Sequence, residues 1–105
     1  MNHKESEIID ISIRIGNSYD YRIVTVGRTY DFRVCRGDSI YSLRQKFIGE
    51  FDESIQDEIK KYNIYNNRII PLHDYNSLND AFSDPNMSRL DIIDKNEYLF
   101  YALTS

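Results

Sequence analysis

The sequence is poor in cysteine and in long apolar runs: its 105 residues include one Cys, no Trp, two Pro and four Gly. A single cysteine excludes a disulfide within the chain and favours a reducing compartment. Residues 1–7 are polar and mixed in charge, unlike a signal peptide, and no later apolar run has the length of a membrane span. We therefore expect an intracellular protein of the cytoplasm or nucleus, with no membrane partner.

Basic charge is also scarce. The 13 Lys and Arg are outnumbered by 17 Asp and Glu, which gives a formal net charge of -4, and the longest basic run is Lys60-Lys61. A nucleic-acid binder usually carries a concentrated basic surface that neutralises phosphates. The sequence therefore predicts an acidic protein with no nucleic-acid partner.

The residue types of common catalytic and metal sites are few. His3, Cys35 and His73 are the whole set of His and Cys side chains, whereas a transition-metal site needs three or four converging ligands. Cys35 and His73 could form a nucleophile and base, but Cys35 continues a strand pattern, where a free Cys usually behaves as a small buried hydrophobe. No phosphate-binding or nucleophile-elbow motif is present. We predict no enzyme activity, no metal and no cofactor.

Isoleucine and tyrosine are abundant, with fifteen and nine residues against two Ala. Both favour strands, whereas Ala favours helices, so the composition indicates a domain that contains a sheet. A chain of this length fits one domain. We predict a flexible N-terminus over residues 1–7 and a single domain over residues 8–105.

Strand patterns dominate the first third of the chain. Residues 9–15 alternate strictly between Ile and polar residues, which predicts a strand with one buried face. Residues 21–26 and 29–35 are two further strand-like runs, separated by Gly27-Arg28, which suits a tight hairpin. In the last of these runs, Tyr30, Phe32 and Val34 share one face.

A helical period follows. Asp38 or Ser39 can cap a helix, and Ile40, Leu43 and Phe47 recur at helical spacing. The apolar stripe continues beyond Gly49 to about residue 63, which one kinked helix or two short helices would satisfy. The pattern next predicts a short strand over residues 68–72 and a long packed loop over residues 73–88. It then predicts a turn over residues 94–97 and a final strand over residues 98–103 that is apolar on both faces.

This order resembles the β-grasp fold of the ubiquitin-like family. The resembling segments are residues 28–34 (second strand), Gly37-Asp38-Ser39-Ile40 with Leu43 and Phe47 (helix), Arg68-Ile69-Ile70 (third strand), and Ile93 with Leu99 (closing pattern). The resemblance implies an α+β fold with a mixed sheet packed on one main helix. Either residues 9–15 are an extra N-terminal strand, or residues 16–27 lengthen the first hairpin.

Conjugated members of that family end in Gly-Gly, whereas this sequence ends Ala102-Leu103-Thr104-Ser105. The departure implies a non-conjugating protein. We therefore expect a non-catalytic ubiquitin-like interaction module, an adaptor or regulator, that binds a protein partner. The alternative is a small structural subunit of a larger multiprotein assembly, or a homodimer.

The final strand and the resemblance together predict a partner-binding surface. If Leu99, Tyr101 and Leu103 face the core, the alternate residues of the strand face outward. The resemblance adds the exposed isoleucine of the family's third strand, through which such domains commonly bind partners. The predicted partner-binding residues are Ile70, Tyr98, Phe100 and Ala102. The alternative is that the segment 73–88 covers this face, with Leu78 and Phe82 lying over it.

Overall fold

The structure is a computed structural model that describes residues 6–19, 22–88, 92–94 and 97–104. Residues 1–5 of the predicted N-terminus, with His3, and residues 95–96 of the predicted last turn lie outside these ranges. The elements in chain order are β1 (Ile8–Tyr19), β2 (Arg22–Cys35), α1 (Ile40–Ile48), α2 (Glu53–Ile59), β3 (Tyr62–Tyr65), a 3-10 turn (Leu72–Asp74), α3 (Leu78–Phe82), α4 (Pro85–Ser88), β4 (Ile92–Asp94) and β5 (Glu97–Thr104).

The strands form one mixed five-stranded sheet with the order β2-β1-β5-β3, and β4 also pairs with β5. β1 is antiparallel to β2 and parallel to β5, while β3 and β4 run antiparallel to β5. Because β1 and β5 are parallel, a long crossover must separate them in the chain. After the hairpin with β2, the whole stretch from α1 to β4 belongs to this crossover. The chain is thus an α+β domain, with a layout compatible with a β-grasp.

The first two strands form one long hairpin. Arg14 pairs with Thr29 and Gly16 pairs with Thr25, so residues 26–28 bulge out of β2. Gly27 lies within this bulge with a φ of 83°, a conformation that suits glycine. The predicted hairpin turn at Gly27-Arg28 is therefore wrong. The predicted strand over residues 9–15 lies within β1, at the centre of the sheet, so it is not an added strand, and the first hairpin is the lengthened element.

Helix α1 packs on one side of the sheet, which we call the core face. The Ser39 hydroxyl caps α1 by accepting a hydrogen bond from the Ser42 N–H at 3.0 Å. The ring of Phe47 lies edge-to-face with Phe32 of β2 at a centroid distance of 6.4 Å. α1 ends at Ile48 and α2 starts at Glu53, so the alternative of two short helices is confirmed. The buried side chains that β1, β2 and α1 contribute are Ile9, Ile11, Ile13, Phe32, Val34, Ile40, Leu43, Phe47 and Ile48.

The predicted strand over residues 68–72 is wrong, because the third strand of the sheet is Tyr62–Tyr65. The fully buried side chain of Asn66 organises the loop that follows. Its Oδ1 accepts hydrogen bonds from the N–H groups of Arg68 and Ile70, each at 2.9 Å. These N–H groups are therefore not available to a sheet ladder, and Ile69 takes a φ of 62° between them.

The segment predicted as a packed loop, residues 73–88, contains α3 and α4. The Ser77 hydroxyl caps α3 by accepting from the Asp80 N–H at 3.1 Å. Leu78, Phe82 and Met87 are buried, so the segment is packed as predicted, but in helical form. No helix within the described ranges is long and apolar enough to cross a membrane.

Candidate functional site

The four predicted partner-binding residues do not form an exposed surface. Tyr98, Phe100 and Ala102 keep 5%, 0% and 0% of their accessible surface, and Ile70 is partly buried against the core. The prediction that these β5 side chains point outward is therefore wrong. Their partner-binding role would require exposure that the fold does not give them.

The register of β5 explains this burial. Tyr98 pairs with Ile11 and Phe100 pairs with Ile13, so both aromatic rings lie on the core face with the isoleucines of β1. Both faces of the final strand are apolar in sequence. Alternation therefore defined two sets of side chains but not which of them is buried.

The segment 73–88 covers these rings. Phe82 of α3 stacks on Tyr98 at a centroid distance of 4.0 Å and an interplanar angle of 12°. The Arg36 guanidinium lies 5.1 Å from the centre of the Phe82 ring and donates to the Tyr98 hydroxyl at 3.3 Å. Arg36 also donates to Asn79 at 3.1 Å, which fixes α3 against the end of β2. The alternative prediction is thus confirmed for Phe82, which lies over the final strand, although it does so on the core face.

The opposite side of the sheet, which we call the outer face, is a more open surface. Alternation along β5 places Leu99 and Tyr101 there, and both remain partly exposed, whereas Leu103 is buried. By register, Ser12 of β1 lies beside Leu99, and Arg14 lies beside Tyr101. The outer face is defined by Asp10, Ser12, Arg14, Asp31, Arg33, Glu97, Leu99 and Tyr101.

Polar side chains connect β1 and β2 across the outer face. The Ser12 hydroxyl donates to Asp31 at 2.7 Å, and the Arg33 Nε donates to Asp10 at 3.1 Å. The Arg33 and Asp10 side chains are 75% and 48% exposed, so water screens their ion pair and its contribution to stability is at most about 1 kcal/mol. These contacts orient the charged groups without removing them from solvent.

An open groove of about 520 Å³ crosses this charged part of the outer face. Its lining includes three carboxylates, those of Asp10, Asp31 and Glu97, against the single guanidinium of Arg33. The groove therefore has an excess of negative charge. By register, Glu97 lies beside Asp10 and Leu99 lies beside Ser12, so Leu99 borders the acidic groove, and Tyr101 lies further along β5 beside Arg14. We call Leu99 and Tyr101 the apolar half of the outer face, and the residues that line the groove its charged half. The sequence did not predict this combination, because the strands that contribute the two halves are far apart in the chain.

The Cys35–His73 pair considered in the sequence does not form. Cys35 ends β2 at one edge of the sheet, whereas His73 contacts Tyr65 of β3, at the other edge, at a ring distance of 6.3 Å. Among the residues that the structure describes, no group of three or more His, Cys, Asp or Glu side chains is placed to hold a metal ion.

Among the residues that the structure describes, one titratable pair has shifted pKa values, and it lies in the segment 73–88. The Tyr75 hydroxyl donates to Asp84 at 2.6 Å, and this hydrogen bond is the main reason that the pKa of Tyr75 rises to about 12. The same bond, together with the Asn86 N–H, lowers the pKa of Asp84. Because Asp84 thereby joins the 3-10 turn to the start of α4, we assign the pair a structural role.

Comparison of the chain with protein-family models, curated proteins and solved structures finds no match.

Proposed function

We propose that the chain is a non-catalytic protein-interaction module with a β-grasp fold, and that it binds a protein partner through the outer face. The observation that carries the proposal is the position of partly exposed Leu99 beside a groove with excess negative charge, with partly exposed Tyr101 further along the same strand. The strand order β2-β1-β5-β3, with a parallel central pair, supports the β-grasp assignment.

This surface suggests the chemistry of its partner. The apolar half of the outer face suits an apolar side chain, whose burial contributes roughly 25 cal/mol per Å². The charged half suits a Lys or Arg of the partner, next to that apolar side chain, because Asp31 and Glu97 add negative charge that Arg33 does not balance. The apolar half would supply most of the affinity, and the charged half would supply specificity and a faster association.

The experiment compares two apolar-to-charged substitutions during capture of partners from the native source. Leu99→Asp changes the outer face, whereas Ile55→Asp changes an exposed apolar side chain of α2 that is 44% exposed. We expect the wild-type chain and Ile55→Asp to retain the same partner and Leu99→Asp to lose it. We also expect the partner to associate more slowly as salt is raised, because the charged half is solvent-exposed.

Circular dichroism melting curves supply the control for folding. The proposal would be overturned if Leu99→Asp retained the same bound proteins as Ile55→Asp. It would also be overturned if Leu99→Asp destabilised the chain as strongly as a substitution of a buried β5 residue, because Leu99 would then belong to the core.

A further inference from the structure

The outer edge of β2 is a second surface, which adjoins the outer face and shares Asp31 and Arg33 with it. β2 is fourteen residues long and stands at the end of the strand order β2-β1-β5-β3. A strand in this position presents backbone N–H and C=O groups that another strand can pair with. Asp31 and Arg33, near the middle of its second half, are exposed.

The hydrogen-bond pattern shows which groups of this edge point away from β1. The Arg36 N–H donates to the Glu7 C=O at 2.8 Å and so extends the β1–β2 pairing by one hydrogen-bonded pair. Antiparallel pairs alternate between bonded and non-bonded types, so the backbone groups of Phe32 face β1. Those of Asp31 and Arg33, one residue to either side, face outward.

The available edge is short. At its end, the Cys35 N–H donates to the Asp38 carboxylate at 3.1 Å, and the Cys35 C=O accepts from the Asp38 N–H at 3.0 Å. At its beginning, the bulge at residues 26–28 interrupts the regular backbone. Residues 29–33 are left as a regular edge with both ends closed.

We propose that this edge pairs antiparallel with the same edge of a second copy of the chain. The two copies are related by a two-fold axis that passes between their two Phe32 residues. In this register Asp31 lies opposite Arg33 of the second copy, and Arg33 lies opposite Asp31 of the second copy. Thr29 would lie opposite Cys35, whose outward backbone groups are already bonded to Asp38, so the pairing is confined to these two positions. Each pair exchanges two backbone hydrogen bonds and brings opposite charges together on the outer side of the sheet.

The charges select this register. Moving the axis to Asp31 would place two Asp31 carboxylates opposite each other, and moving it to Arg33 would oppose two guanidinium groups. Only the axis through Phe32 gives two attractive pairs, and the resulting interface is self-complementary, as a two-fold dimer requires. Asp10 and Ser12 already hold Arg33 and Asp31 within each copy, so the polar row continues across the axis.

Phe32 completes the interface on the core face. At a non-bonded pair the side chains approach most closely, so the two Phe32 rings meet at the axis. Phe32 is 8% exposed, and its ring lies edge-to-face with Phe47. The dimer uses Asp31 and Arg33 but leaves Glu97, Leu99 and Tyr101 of each copy open on the same side of a continuous sheet. It therefore does not depend on the proposed function.

Analytical ultracentrifugation of the wild-type chain and two charge-reversal variants tests the register. In Asp31→Arg, both charge pairs become Arg against Arg, and in Arg33→Asp they become Asp against Asp. Each variant should dimerise at least about tenfold more weakly than the wild-type chain. In an equal mixture, the two guanidinium groups of one variant lie opposite the two carboxylates of the other, so the mixture should form a one-to-one heterodimer.

The mixture also controls for folding, because only folded variants can recover dimer formation. If either charge reversal unfolds the chain, Asp31→Asn and Arg33→Gln should each weaken the dimer to a smaller extent. The proposal would be overturned if the wild-type chain sedimented as a monomer at every concentration at which it is soluble. Single variants that dimerise as strongly as wild type, or a mixture that stays monomeric, would equally overturn it.

Discussion

The two faces of β5 differ in what they contact, although their side chains alternate along one strand. On the core face, Phe100 is fully buried and Tyr98 stacks under Phe82. On the outer face, Leu99 and Tyr101 remain partly exposed next to a groove lined by carboxylates. One residue of displacement along this strand therefore separates a side chain that supports the fold from one that is available for binding.

The largest expected effect separates the two faces directly. Phe100→Ala should lower the free energy of unfolding by about 3–5 kcal/mol, because it removes a large buried ring and leaves a cavity. Leu99→Ala, its neighbour on the outer face, should lower it by about 1 kcal/mol or less, because less area is lost from burial. Urea unfolding of both variants measures the difference. Equal losses would show that the outer face of β5 is also core.

Removing Asn66, the single buried polar side chain among the described residues, should lower the free energy of unfolding by a smaller amount. Asn66→Ala leaves the Arg68 and Ile70 N–H groups without their acceptor, which should cost about 1–3 kcal/mol. The matched control is Asn63→Ala, on the outer side of β3, where the side chain is partly exposed. If both substitutions had the same effect on urea unfolding, the role of Asn66 in the loop would be contradicted.

The smallest effect on the free energy of unfolding should come from the hydrogen bond between Tyr75 and Asp84, and this effect should depend on pH. Because the folded pKa of Tyr75 is raised, this group stabilises the fold below its ordinary pKa of about 10, and that contribution is lost as pH rises towards 12. The lowered pKa of Asp84 has the opposite sign, so its contribution is lost as pH falls below the ordinary value.

A titration of tyrosinate absorbance can detect this pair. In the wild-type chain one tyrosine should ionise near pH 12, and in Asp84→Asn it should ionise closer to 10. Asp80→Asn, which changes a nearby carboxylate outside the pair, should leave the titration unchanged. A curve that is the same for all three proteins would show that the Tyr75–Asp84 bond does not hold in solution.

Local signals predicted much of the fold. The alternation of residues 9–15 identified the buried face of β1, and Ser39 identified the start of α1. The strand expected at residues 68–72 failed because Asn66 satisfies its backbone groups through a side chain, a contact that apolar patterning does not reveal. Gly27 was misassigned because a glycine with positive φ serves a bulge as well as a turn.

The candidate site was less predictable for a different reason. The buried face of β5 is decided by its pairing with β1, and no local pattern carries that register when both faces are apolar. The charged half of the outer face comes mostly from β1 and β2, and the apolar half comes from β5. Their proximity is a property of the sheet order, which the sequence indicated only through its resemblance to a known fold.

The parallel pairing of β1 with β5 also has a consequence for how the protein folds during synthesis. The central strand of the sheet is made near the beginning of the chain, but one of its two neighbours is made near the end. Contacts between such distant segments slow folding. While the ribosome still holds β5, Ile11 and Ile13 of the β1–β2 hairpin lack the Tyr98 and Phe100 side chains that later pack with them. The nascent hairpin is therefore the stage at which a chaperone would have most to protect.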